Sequence, residues 1–558
     1  MKTESRLNPT TPALSSRRKL LRGLVGLGAA APLVANAKSS RGSSSRPNTT
    51  SNHCPGTPNP YRRRLDAYSI RRRAAYVNFR ETPASPDCNS DERRLQGFIG
   101  NFTKTLPHNN LGEVNPAAYR ALIRAFETER PGDFETIPAG GTARLANPQA
   151  AIAYSLVGGD SHVFPFPAAP RFSSRWEASE MGEVYLHALL RDVPFDQFGS
   201  NSLADYAVTE MNKFTDFRGP KVGGQVTTDT LFRGESAGDL IGNYVSQFLL
   251  LPYVTLNQIQ EQRNRVTVQG DDHMITYADW LNILNGGAPT TSNQFDTTPR
   301  YIATPRDLGD YVHFDFSYEA YLNAARILLS LGAPLNPSNP YNSSTRQGAF
   351  ITFGGAEVLS QIAEVALHGL KAAWYQKWRV HRRLRPEVFG GRVHNHVTGA
   401  ANYPINGELL NSDILNQIFS ANGNYLLPMA YPEGSPTHPA YPAGHAVIAG
   451  ACVTVLKAFF DESWEIPFPM QVDPSSNGTA LQSYTGPTLT VGNELDKLAN
   501  NIAIGRDLAG VHWRTDGTEG VLLGEKVAVK MLKDIKKTYN ERFDTYTFTG
   551  FKGNTIRI

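Results

Sequence analysis

Cysteine is scarce in this chain. Among 558 residues only Cys54, Cys88 and Cys452 occur, too few for a disulfide framework in a protein of this length. Cys54 and Cys88 lie in Pro-rich N-terminal stretches and could pair. Cys452 sits inside the apolar run AVIAGACVTVLKAFF, where a thiol packs as a small hydrophobe. Long apolar runs are also missing: no segment approaches about 18 uninterrupted apolar residues, so no transmembrane helix is expected. Strand-like alternation is rare and short, as in Val266-Thr267-Val268, and no repeat of fixed period is present, which argues against an α/β enzyme or a solenoid. Net charge is small as well. Lys+Arg at 55 against Asp+Glu at 51 gives a formal +4, weak grounds for a nucleic-acid partner, and none is expected.

That small excess has one source. Residues 1–37 carry Lys2, Arg6, Arg17, Arg18, Lys19 and Arg22 against Glu4, a local +5 that leaves the remainder at −1. Arg17-Arg18 precedes a weakly hydrophobic stretch from Gly23 to Val34, followed by Ala35-Asn36-Ala37. Those are the parts of a twin-arginine export signal. It implies a periplasmic or extracellular destination and no membrane attachment after cleavage. The stretch 38–100 reads as a disordered spacer and N-terminal loops.

With 40% hydrophobic and 19% charged residues, the rest can bury a large core. Apolar residues recur at helical spacing in 236–251, 317–331, 356–383, 444–460, 492–509 and 516–538. Pro386 must end the 356–383 helix by Arg385. Pro-, Gly- and Asn-rich loops are expected at 286–305, 332–350, 386–408 and 466–490. The expectation is a mainly α protein, a helical bundle over 101–558 with its site within 374–516.

Histidine and cations crowd into that region. Five of 13 histidines (His381, His394, His396, His438, His445) fall within 381–445, and 377–385 holds Lys377, Arg379, Arg382, Arg383 and Arg385. Trp374, Lys377 and His381 share a helical stripe, which turns Lys377 inward, where a cation needs an anion. A second cluster, Ser435-Pro-Thr-His438-Pro-Ala-Tyr-Pro-Ala443-Gly444-His445, opens an apolar helix whose first N–H groups favour an anion. His445 would stand there as acid or base. The third is Gly505-Arg506-Asp-Leu-Ala-Gly-Val-His512-Trp-Arg-Thr-Asp516, where Arg506 could clamp oxygens and His512 is a nucleophile or metal ligand. A zinc site at His394-x-His396 lacks further ligands at suitable spacing.

The order and spacing of the three clusters resemble the signature shared by vanadium-dependent haloperoxidases and the related acid and lipid phosphatases. The eight-residue step from Lys377 to Arg385, the stretch HRRLRPE and the region from about 230 to 558 are similar to the red-algal type of bromoperoxidase. The resemblance implies two four-helix bundles with long loops, a vanadate cofactor and no haem, with structural calcium left open. It makes His512 the axial ligand of vanadium, with Lys377, Arg385, Arg506 and the Gly444 N–H on the vanadate oxygens. It further implies His445 as the group handling the peroxide proton, His438 as the additional histidine of bromoperoxidases, and Asp315 as the carboxylate behind His445. Hydrogen peroxide, a halide (bromide, with iodide following) and small organic acceptors would be the partners, in a homo-oligomer.

Two departures stand out: Ala443 replaces the usual Ser before Gly-His, and Gly505 the Ser before Arg. Trp374 occupies a position where the red-algal type tends to carry Arg, and a bulky ring there could tune halide preference. The alternatives are an exported acid phosphatase with His512 as phosphohistidine nucleophile, and an anion-binding protein without turnover.

Overall fold

The computed structural model describes residues 56–255 and 257–558. The expected export signal and Cys54 lie outside them. Residues 64–558 form one compact unit, and it is mainly helical.

Nine helices carry the account: α1 Pro60–Arg80, α2 Arg175–Leu190, α3 Pro305–Phe314, α4 Glu319–Ser330, α5 Gly355–Trp374, α6 Pro386–Val397, α7 Gly444–Phe459, α8 Val491–Leu508 and α9 Arg514–Lys536. Among the described residues, strands are limited to short antiparallel pairs, 253–255 with 258–260, 470–472 with 481–483, and 547–549 with 555–557. Helix α7 is the centre. Every residue in it except His445 is buried, as a helix apolar on all sides requires. It packs on α5, α8 and most extensively on α9. The α7–α9 crossing depends on missing side chains: a Cβ on Gly450 would overlap the Val521 carbonyl, and one on Gly524 the Val447 carbonyl.

Several expectations need correction. Residues 60–80, read as loop, form α1; Pro60 starts it and Asn59 Oδ1 accepts from the Tyr61 N–H at 3.0 Å. Residues 236–251, read as a helix, make only two 3₁₀ turns, 237–240 and 247–249. Gly242 is left-handed at φ 75, and the segment is pressed so closely on α8 that a Cβ at Gly238 would collide with the Asn493 backbone. Within the expected 386–408 loop, 386–397 form α6. Proline constrains the residue before it but is well suited to the first helical position. Val266-Thr267-Val268 makes no strand, only an isolated bridge from Thr267 to Phe295.

Candidate functional site

The basic run 377–385 supplies its cations to four different environments. After α5 the chain widens into a π-helical turn, 375–381, and reverses at Arg382 in the left-handed region (φ 43). Arg379 pairs with Glu129 at the surface and Arg382 with Glu92 at 2.6 Å. Arg383 turns into a buried cluster of carboxylates, 2.5 Å from Glu177, 2.8 Å from Glu180 and 2.9 Å from Asp516. Lys377 and Arg385 turn into a different place.

Lys377 is fully buried, and its Nζ donates to the carbonyl oxygens of Pro439 and Ala440, both at 2.7 Å. Arg385 is held extended by the following Pro386 (φ −90, ψ 156). Its guanidinium donates to the carbonyls of His438 (3.0 and 2.9 Å) and Val511 (2.6 Å), and to ring nitrogens of His512 (Nε2, 2.9 Å) and His438 (Nδ1, 3.0 Å). Arg506, near the end of α8, donates from Nη1 to the Val312 carbonyl at 2.6 Å, and its buried Nε has no partner among the described residues. Nor does any of these three cations have a carboxylate within 4.0 Å among those residues.

Burial first, then the neighbouring Arg385 and Arg506 against a partial offset from Asp516, hold the Lys377 ammonium well below its ordinary range. Burial likewise brings Arg385 down to about 9, with Arg506 adding to the effect. The same burial and cations keep His438 and His512 neutral. Buried cations that repel one another are tolerable only beside an anion.

His512 stands just before α9, and Asp516, in its first turn, lies 2.7 Å from Nδ1 through Oδ2. A carboxylate there accepts from Nδ1–H and so fixes the proton on Nδ1, and Nε2 keeps its lone pair and accepts from Arg385. Gly444 begins α7, whose first N–H groups have no acceptor inside the helix. The Trp374 ring adjoins both sides of the site: Cζ3 is 3.4 Å from where a Gly444 Cβ would stand, and the ring centre is 4.7 Å from that of His438. Next in the chain, His445 Nε2 meets Asp315 Oδ1 at 3.0 Å. Burial opposes ionisation of Asp315, but His445 outweighs it and holds the carboxyl below its usual range.

The structure therefore brings Trp374, Lys377, Arg385, His438, Gly444, Arg506 and His512 together and pairs His445 with Asp315. His394 and His396 remain apart from it, accepting from the Tyr425 and Tyr403 N–H groups at 3.4 and 3.1 Å. No group of three metal-ligating side chains occurs among the described residues. Missing from the sequence-based list is the support behind Asp516. Glu177, Glu180 and Glu183 of α2 are buried; the Thr515 N–H donates to Glu180 at 2.9 Å and Arg514 Nε to Glu183 at 2.8 Å. One signal could have found them: three acids at a spacing of three in WEASEMGE, on a helix too apolar to be a surface helix.

The donor set suits a small oxyanion. Cations and N–H groups face it, and one unprotonated imidazole nitrogen can bond its central atom.

Known proteins agree with that chemistry. A family model described as the VCPO second helical-bundle domain matches residues 362–541. The vanadium-dependent bromoperoxidase of Corallina pilulifera is 36% identical over 83% of this chain and 91% of its own. That of Ascophyllum nodosum is 34% identical over 89% and 93%. In three dimensions the chain is similar to the homohexameric vanadate-dependent bromoperoxidase AnII of Ascophyllum nodosum, with a TM-score of 0.86 and 31% identity over 92% of this chain and 94% of that one. On identity, coverage and fold together, the chain belongs to the vanadium-dependent haloperoxidases, among the bromoperoxidases.

Proposed function

We propose that the protein oxidises bromide, and iodide, with hydrogen peroxide: Br⁻ + H₂O₂ + H⁺ gives HOBr + H₂O, and the hypobromous acid then halogenates organic molecules. The observation that carries this reading is the convergence on His512 Nε2 of buried cations lacking carboxylate partners. Vanadate, when bound, supplies a Lewis-acid centre that makes peroxide electron-poor without changing oxidation state.

The residues of this chain do the rest. Lys377, Arg385, Arg506 and the Gly444 N–H hold the oxyanion and neutralise its charge. Asp516 keeps His512 in the tautomer that presents Nε2. Asp315 accepts from His445 Nε2, which leaves Nδ1 to take and return a proton. His438, kept neutral by burial and by Lys377 and Arg385, is a further group beside the site able to exchange one. Trp374 closes the site beside Gly444 and sets the room and polarity that the halide meets. The export route and a homo-oligomeric state, the latter supported by the homohexameric relative, belong to the same reading.

The test is bromide-dependent peroxide consumption with and without vanadate, and after His512→Ala. Equal rates in protein stripped of vanadate would overturn the assignment. Phosphate ester hydrolysis, measured alongside with p-nitrophenyl phosphate, separates the phosphatase alternative; the bromoperoxidase relatives and His438 favour the peroxidase.

A further inference from the structure

Asp315, bonded to His445, also forms part of the wall of a separate cavity of 470 Å³. It lies between Tyr253, residues 261–265, the last turn of α3 and the first turns of α4, and its size is within the ordinary range for a small-molecule site. Two polar atoms on its wall, Asp310 Oδ1 and Tyr311 Oη, are buried with no partner among the described residues. Asp310 is 1% exposed, and its other oxygen is satisfied by the Thr267 N–H (2.6 Å) and hydroxyl (2.9 Å). Buried polar atoms are nearly always paired, so a ligand bearing a donor is the natural occupant.

The remaining wall is aromatic. Arg265 lies 3.4 Å over the Phe295 ring, and Phe295 and Phe314 are 5.8 Å apart. From Phe314 the rings continue through His313 at 4.3 Å to Tyr431 at 3.7 Å and 10°. The Tyr431 hydroxyl is 3.4 Å from Arg506 Nη1. A continuous aromatic face therefore runs from an oxyanion-binding cation to the cavity.

We propose that this cavity binds the organic acceptor, an electron-rich aromatic carrying an O–H or N–H donor, and presents it for bromination beside the site where bromide is oxidised. The inference rests on the haloperoxidase reading. The ligand's donor reaches Asp310 Oδ1, the Tyr311 hydroxyl donates to the ligand's own oxygen or π face, and the ring lies along Phe295 and Phe314, where stacked or edge contacts are favourable. A hydrogen bond to a carboxylate also pushes electron density into a phenol or indole ring. A ring carbon then bonds the bromine of HOBr as the O–Br bond breaks, and the departing hydroxide takes up the ring proton as water: ArH + HOBr gives ArBr + H₂O. Burial holds the Asp310 carboxyl up at about 6, so above that pH it is a carboxylate able to accept the ligand's O–H or N–H.

Phenol is the probe, with Tyr311→Phe and Phe295→Ala as variants. The first removes only an atom without a partner and the second a half-exposed ring, so the fold is not at stake. Saturation-transfer NMR on vanadate-free protein should show phenol binding, weakened about fivefold by Tyr311→Phe, the loss of one hydrogen bond. In vanadate-loaded protein, bromination should saturate in phenol, with its KM raised similarly, the KM for bromide kept, and an aliphatic 1,3-diketone acceptor unaffected. No phenol binding, or bromination linear in phenol and indifferent to both variants, would overturn the proposal in favour of hypobromous acid acting free in solution. Failure of acceptor-free, bromide-dependent peroxide consumption would instead overturn the haloperoxidase reading, and the NMR measurement would then decide the cavity alone.

Discussion

His512 Nε2 lies 2.9 Å from Arg385 Nη1 while its Nδ1 lies 2.7 Å from Asp516 Oδ2. The imidazole is thus fixed at both ends, by a carboxylate that accepts from its Nδ1–H and a guanidinium that donates to its Nε2 lone pair. Asp516 is in turn gripped by Arg383 at 2.9 Å, which faces three carboxylates at once. With a single cation among Glu177, Glu180 and Asp516, one carboxyl does best to keep a proton. Burial, and Glu180 beside it, push the Glu177 carboxyl upward against the pull of Arg383.

Asp516→Asn should loosen this orientation. An amide cannot impose the Nδ1–H tautomer, and losing such a support behind a metal-binding histidine typically costs 10–100-fold in affinity. Vanadate titration of the stripped protein measures it.

Lys377→Met removes a cation with no carboxylate of its own. Loss of one charge-assisted contact, about 1.5–3 kcal/mol, corresponds to roughly 10–100-fold weaker vanadate binding. Vanadate at a hundred times its Kd should stabilise the parent by about 2.7 kcal/mol; at the same concentration the variant should keep only about 0.4–1.4 kcal/mol of that protection in thermal unfolding.

Ala443→Ser restores the hydroxyl that the family pattern carries. Ala443 is the N-cap of α7 and offers no side-chain cap. The serine should strengthen the helix start by about 0.5–2 kcal/mol and tighten vanadate binding severalfold, read from melting temperature and vanadate titration.

Asp315→Asn should separate binding from turnover. His445 loses the partner that sets its tautomer, so kcat for bromide oxidation should fall about a hundredfold or more. Vanadate affinity should change little, because the side chain that Asp315 hydrogen-bonds is His445 and none of the three cations.

His381→Phe should stabilise the protein increasingly as pH falls. His381 is buried with Nε2 unpartnered, and burial, then Arg382 and Arg383, bring its pKa down to about 3. Below pH 6.5 the unfolded chain takes up a proton that the folded one refuses, so stability drops from there towards pH 3. Phenylalanine keeps the ring contacts with Phe166 and Tyr441 and removes that loss, roughly 2 kcal/mol at pH 4.5–5. Urea unfolding at pH 7.5 and 4.5 compares the two; His108, held at about 4, adds a similar slope to both.

The apolar periods of α4, α5, α7, α8 and α9 were legible because a helix that packs along one stripe, or on all sides, writes that demand into every third or fourth residue. The chemistry was legible for a related reason: Lys377 to Arg385, Ala443 to His445 and Arg506 to Asp516 are each local, so spacing alone displays them. The turns at 236–251 were misread because contact with α8 overrode the period, and α6 because a proline can begin a helix as well as end one. The acids of α2 went unnoticed because their partners lie more than 200 residues away.

The sequence by itself determined the strongly periodic helices, α4, α5, α7, α8 and α9, and which side chains carry charge, since both depend on neighbours within a turn or two. Tertiary structure decided which cations keep a carboxylate. Arg383 and Lys377 stand six residues apart in one basic run, yet one is paired three times over and the other meets only carbonyls. That difference comes from what distant segments bring to each, and in a buried, low-dielectric site it separates a structural cation from one that waits for an oxyanion.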